Sequence, residues 1–111
     1  MHATIYHNPR CSKSRAALAL LTEAGDDVRI VEYLKTPPTR DDLAALLDRA
    51  RLTPREALRA NEPEAKSLKD ATDAQILDAM AQHPILIERP IVETEKGIVI
   101  ARPPERVHEV L

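Results

Sequence analysis

Ala3-Thr4-Ile5-Tyr6-His7-Asn8-Pro9-Arg10-Cys11-Ser12-Lys13-Ser14-Arg15 passes from strand to helix across a single turn. Ala3 to His7 is rich in β-branched and aromatic types and reads as a short strand. Asn8-Pro9 breaks it. Beyond Cys11, the apolar residues Ala17, Leu20, Leu21 and Ala24 recur at helical spacing, and Gly25 stands where a C′ residue belongs. Val28 to Leu34 supplies a second strand. Strand, helix and strand in this succession form a βαβ unit, which predicts a parallel pair joined by a right-handed crossover.

Working outward, Thr36-Pro37-Pro38 closes the unit. Thr39 is an N-cap, with Asp42 as an imperfect capping-box partner, for a helix bearing Leu43, Leu46, Leu47 and Ala50 on one face. Thr53-Pro54-Arg55-Glu56 combines N-cap, proline at the first helical position and glutamate at the third, so a short helix is expected there, ended by Asn61-Glu62-Pro63. Residues 64–71 are polar and read as a loop. Thr72 with Gln75 makes another capping box, opening a helix with Ile76, Leu77 and Met80 inward and ending at His83-Pro84. No strand separates these helices, so residues 39–83 form a helical insertion. Ile85 to Thr94 is extended and interrupted by Pro90. Glu95-Lys96-Gly97 turns a hairpin into Ile98–Ala101, and Pro103-Pro104-Glu105 opens a closing helix with Val107, Val110 and Leu111 inward. The expected fold class is α/β: a mixed four-stranded sheet built from βαβ and then ββα, with the insertion between the halves, in one domain spanning residues 1–111.

Composition narrows the function. With 43% hydrophobic and 31% charged residues and a formal net charge of −2, the default is a soluble globular protein without an electrostatic pull toward nucleic acid. Two Tyr, no Trp and no Phe leave no stacking platform for single strands. No run approaches about 18 apolar residues, and the N-terminus lacks a signal-peptide pattern, so no membrane partner and a cytoplasmic location are expected. Only two glycines exclude a glycine-rich phosphate loop.

One cysteine cannot form an internal disulfide, and His2, His7, His83 and His108 show no metal-ligand spacing with it, so no metal is expected. An inert core cysteine sits among apolar neighbours. Cys11 instead has Arg10, Ser12 and Lys13 beside it, at the positive end of a helix, where both the charge and the helix terminus favour the thiolate. Cys11 is therefore the candidate nucleophile. Any redox chemistry it performs requires a resolving thiol from another molecule. Arg89 and Arg102 each precede a proline and end an apolar strand segment, where a guanidinium needs a partner. Together they form a candidate oxyanion site, because guanidinium pairs its hydrogen bonds on tetrahedral oxyanions better than lysine does. His7 can either raise the thiolate fraction or simply hold a backbone partner. Arg59 taken alone is an ordinary solvated arginine. A phosphatase-type loop needs five residues between Cys and Arg, whereas three separate Cys11 from Arg15.

Four stretches share one register with a known family. Tyr6 to Arg15, Thr36-Pro37-Pro38-Thr39-Arg40, His83-Pro84-Ile85-Leu86-Ile87-Glu88-Arg89-Pro90-Ile91 and Ala101-Arg102-Pro103-Pro104-Glu105 resemble the glutaredoxin-coupled arsenate reductases. The resemblance covers essentially the whole chain. It implies a thioredoxin-like fold and attack of Cys11 on arsenate, with Arg59, Arg89 and Arg102 holding the oxyanion and the arsenite product. It also implies that His7 helps depress the Cys11 pKa, that Ser14 and Arg15 support the thiolate loop, and that Arg89-Pro90 is cis. No bound cofactor is implied; glutathione is the co-substrate and glutaredoxin the protein partner. The rival class is the Spx-like regulators, which bind RNA polymerase and carry a Cys-x-x-Cys pair. Ser14 stands where the second thiol would be. A thiol-dependent reductase acting on another oxyanion or a glutathione adduct is the nearer alternative.

Overall fold

The computed structural model describes residues 2–25 and 27–111. The chain divides into two compact units, one made of 1–36 with 89–111 and the other of 37–88.

The first unit contains β1 (His2–Tyr6), α1 (Ser12–Glu23), β2 (Asp27–Val31), β3 (Ile91–Thr94) and β4 (Gly97–Ile100), followed by a 3-10 helix over Pro104–Glu109. The four strands form one sheet in the order β2-β1-β3-β4. β1 is parallel to β2 and antiparallel to β3, and β3 is antiparallel to β4. Register explains the core. Ile5 stands opposite Val92, and Val92 opposite Val99, so the three point to one face of the sheet. On that face Ala17 and Leu21 of α1 and Val107 and Val110 of the closing helix complete a buried cluster with Ala3 and Ala101. The Thr94 hydroxyl donates to the Val110 carbonyl, and Lys96 Nζ donates to the Leu111 carbonyl at 2.8 Å, fastening the chain end to the hairpin. The thioredoxin-like mixed sheet of four strands is thus present as the pattern requires.

The second unit carries α2 (Arg40–Ala50) and α3 (Asp73–Gln82), which pack together. Leu43, Leu46 and Leu47 are buried on α2, and Ile76, Leu77 and Met80 on α3. Both helices carry the N-caps predicted for them. Thr39 Oγ1 accepts from Asp42 N at 3.1 Å, and the Thr72–Gln75 capping box is complete.

Several elements differ from the sequence reading. Thr53 and Glu56 do exchange capping bonds, at 2.9 and 3.2 Å, yet no helix follows. Leu58 leaves after one turn to form an antiparallel bridge with Ile87, secured by Arg59 N to Leu86 O at 2.7 Å. Pro63–Leu68, within the stretch read largely as loop, is a 3-10 helix with proline in its first turn and Ala65 buried. Pro84–Leu86 is also 3-10 rather than extended. The second strand stops at Val31, because the Lys35 and Thr36 amides both donate to Glu32 O at 2.9 Å and turn the chain. The closing helix is 3-10. Arg89-Pro90 is cis, and so is Arg102-Pro103, which nothing in the sequence reading anticipated.

Candidate active site

The parallel β1–β2 pair ends with His7 N donating to Val31 O at 2.8 Å, and the chain then turns above the sheet's C-terminal edge. This is where open α/β sheets place their ligands. The turn is fixed by its own side chains. Asn8 Oδ1 accepts from Arg10 N at 3.0 Å, and Asn8 O accepts from Cys11 N at 3.0 Å. Arg15 Nη1 donates to Pro9 O at 2.8 Å, reaching back from the first turn of α1.

Ser14 is the hub of this turn. Its hydroxyl is fully buried, accepts from Asn8 N at 3.1 Å and lies 2.6 Å from His7 Nδ1. The hydroxyl oxygen has two lone pairs and one proton, so it can serve the Asn8 amide and the His7 ring nitrogen together. Burial lowers the His7 pKa below 6.5, with Glu32 opposing and the Arg15 charge assisting, so the ring is neutral at pH 7.

Cys11 is the N-cap residue of α1, with extended backbone at φ −92 and ψ 121. Its sulfur occupies the place of a capping oxygen, facing the amides that a Ser or Asp would satisfy. The thiol makes no formed cap bond. Half-burial pushes its pKa up, but the Ser14 amide, the Arg89 charge, the Lys13 amide and a hydrogen bond from Arg89 together outweigh burial and bring it below 9.0. The first turn of α1 contains no acidic residue to oppose this. A half-exposed thiol whose pKa is lowered at the positive end of a helix supplies more of the thiolate, the form that attacks an electrophilic centre. The guanidinium beside it can balance the charge of an oxyanion bound there.

Arg89 and Cys11 are therefore brought together. Arg102 lies close by, its Nη1 donating to Arg89 O at 3.2 Å. Ser14 and Arg15 brace the loop by the bonds above, and His7 is tied to Ser14. Arg59 belongs to the second unit, where its Nη1 pairs with Glu62 Oε1 at 2.8 Å. Two contributors escaped the sequence reading. The Lys13 amide follows from recognising Cys11 as an N-cap, and the Asn8 turn was announced by Asn-Pro, a standard Asx-turn signal. Glu62 as the partner of Arg59 was available from its (i, i+3) spacing. Among the described residues no group of three or more His, Cys, Asp or Glu could hold a metal ion, and no helix is long and apolar enough to cross a membrane.

A model of the ArsC family matches residues 6–110, taking in Cys11, Arg89 and Arg102 in one span. The chain belongs to the ArsC family. Its ArsC relatives include the arsenate reductase of Rhizobium meliloti, 44% identical over all of this chain and 82% of that protein. The arsenate reductase of Escherichia coli K12 is 45% identical over 97% of this chain and 79% of its own length. Among solved structures, the arsenate reductase from Vibrio cholerae superposes with a TM-score of 0.93 at 41% identity, covering all of this chain and 98% of that one.

Proposed function

We propose that the protein reduces arsenate to arsenite with Cys11 as the single nucleophile, and that glutathione and glutaredoxin regenerate the thiol. The Cys11 thiolate attacks arsenic(V), a sulfur–arsenic bond forms, and water or hydroxide leaves. Arg89 and Arg102, with Arg59 completing the set, balance the oxyanion charge through paired hydrogen bonds. A glutathione thiolate then attacks Cys11 sulfur, the sulfur–arsenic electron pair stays on arsenic, and arsenite departs. Two thiols have supplied two electrons, leaving a mixed disulfide between Cys11 and glutathione. Glutaredoxin attacks the glutathione sulfur and returns Cys11 as a thiolate. His7, Ser14 and Arg15 support the thiolate by fixing the loop that carries it. The reducing cytoplasm is the compartment this cycle requires.

The observation that carries the reading is the meeting of Cys11 and Arg89 at the N-cap of α1, in a chain with one cysteine. Membership of the ArsC family and the likeness to arsenate reductases support the choice of arsenate. The Spx-like alternative loses its Cys-x-x-Cys requirement, since Ser14 is buried and engaged by His7 and Asn8. The test is arsenate-dependent oxidation of glutathione in the presence of glutaredoxin, followed by mass spectrometry of the protein. Wild type should turn over and show a glutathione adduct at Cys11, and Cys11→Ser should do neither. An unaffected rate in Cys11→Ser refutes the assignment.

A further inference from the structure

The parallel ladder of β1 and β2 runs one rung past the strands themselves. Its register pairs Ile5 with Ile30 and Tyr6 with Val31, and the bond from His7 N to Val31 O at 2.8 Å carries it on to His7 and Glu32. Partners in a parallel pair point to the same face, and side chains alternate along each strand. Ala3 and Val28, paired earlier in the same register, both pack into the cluster that holds Ala17 and Leu21 of α1. His7 and Glu32 therefore share the face that carries α1, from which Ser14 Oγ meets His7 Nδ1 at 2.6 Å. Both also line one cleft of about 230 Å³, together with Arg10 and Lys35.

The charges about the imidazole are unevenly divided. Arg10 of the turn and Lys35 stand on the cleft wall, and Arg15 acts from α1. On the β3 side, the register carried one step past Tyr6 and Ile91 places the uncharged Pro90, with Arg89 beyond it at the Cys11 sulfur. The first turn of α1 holds no acidic residue. Among the described residues Glu32 is thus the one carboxylate set against His7. Its mount is rigid, because its carbonyl accepts from the Lys35 and Thr36 amides, each at 2.9 Å. Its ion pair with Lys35 Nζ, at 3.5 Å and with Lys35 well exposed, is weak and does not use up the carboxylate charge. Across a half-buried cleft that charge is screened less than in bulk water. It opposes the burial that lowers the His7 pKa.

We propose that Glu32 is a positioning residue of this site, its carboxylate serving as the counter-charge of His7 and acting through the His7–Ser14 bond on the turn that carries Cys11. Ser14 joins the two ends, since its hydroxyl meets His7 and its amide favours the Cys11 thiolate. Protonation makes both ring nitrogens of His7 donors, so the Ser14 oxygen then accepts from the ring, and a positive charge is added beside the thiol-bearing turn. Glu32 makes that proton easier to gain. The proposal rests on the reading of Cys11 as the nucleophile and adds a residue that acts on it from the end of β2.

The experiment follows the His7 ring by proton–carbon NMR against pH, with His7→Phe identifying its resonance among the four histidines. Glu32→Gln should move the His7 midpoint to lower pH. Glu32→Asp keeps the charge and should recover most of that shift, and Lys35→Gln should move the midpoint to higher pH. Alkylation of Cys11 against pH is the second readout. Glu32→Gln should displace that curve to higher pH, and the same change in a His7→Phe background should leave it in place. An unmoved His7 midpoint in Glu32→Gln overturns the proposal. So does an equal displacement of the alkylation curve with and without His7, because Glu32 would then act on the sulfur by another route. Neither readout uses arsenate, so a wild type without arsenate turnover would refute the assigned reaction while both titrations still decide the role of Glu32.

Discussion

Ser14→Ala is the perturbation with the most to say about this site. Its hydroxyl is fully buried and joins two otherwise separate groups, accepting from Asn8 N and sharing a hydrogen bond with His7 Nδ1. Deleting it adds no bulk but leaves a part-buried amide and a buried ring nitrogen without partners. Each orphaned group costs about 1–3 kcal/mol. Because Asn8 is only part-buried and can recruit water, we expect a total of about 2–4 kcal/mol. Against a domain stability of about 5–15 kcal/mol this is a large loss. Urea unfolding should show it as a midpoint lowered by roughly 1–2 M at unchanged m, given m-values of about 1–3 kcal/mol/M. The same loop presents Cys11 to the Lys13 and Ser14 amides, so alkylation of the single cysteine should become half-maximal at a higher pH in the variant. A double-mutant cycle with His7→Phe isolates the shared bond, and coupling of about 1–2 kcal/mol is expected for groups in direct contact. Stability within about 0.5 kcal/mol of wild type, together with an unmoved alkylation profile, would refute the claim that Ser14 organises the loop.

Other outcomes follow from the same contacts. Arg89→Gln removes both the charge and the hydrogen bond acting on Cys11, so its pKa should rise toward 9.0, read as a shift of the pH–alkylation curve to higher pH. Burial holds the His7 pKa below 6.5, so the folded state resists protonation that the unfolded chain accepts. Stability from this group is therefore complete above about pH 6.5 and declines as pH falls through 6.5 toward the folded value, and His7→Phe should flatten that slope in urea titrations. Thr72→Ala breaks the capping box of α3 and should cost about 1 kcal/mol, measured by urea unfolding. Gly97 opens β4 at φ +153, so Gly97→Ala should destabilise by about 1–3 kcal/mol even though a Cβ there has room.

What the residues disclosed in advance was governed by range. The βαβ unit and both full helices of the insertion were legible because their caps and apolar faces are local patterns. The Thr53–Glu56 box was read correctly as a cap and wrongly as a helix start, because the competing signal was Ile87, far along the chain, which draws Leu58 into a bridge. The 3-10 helix at Pro63–Leu68 lay hidden because its single buried residue, Ala65, gives no periodicity. At the site, Cys11 announced itself through its neighbours and its place before a helix. Its approach to Arg89 could be guessed only from the pre-proline positions, since proximity across the sheet leaves no spacing to read. Arg59 was carried by family resemblance alone, and its ion pair with Glu62 bears on how much charge it offers a ligand.

The account stands on the ionisation of one sulfur, and a chain with one cysteine lets that be measured without ambiguity. Thiolate ultraviolet absorbance followed against pH, with Cys11→Ser as the blank, should rise with a midpoint below the ordinary 9.0 of a cysteine thiol. A midpoint at or above that value would mean that burial prevails over the helix amides and Arg89, and the nucleophile assigned here would not exist at neutral pH.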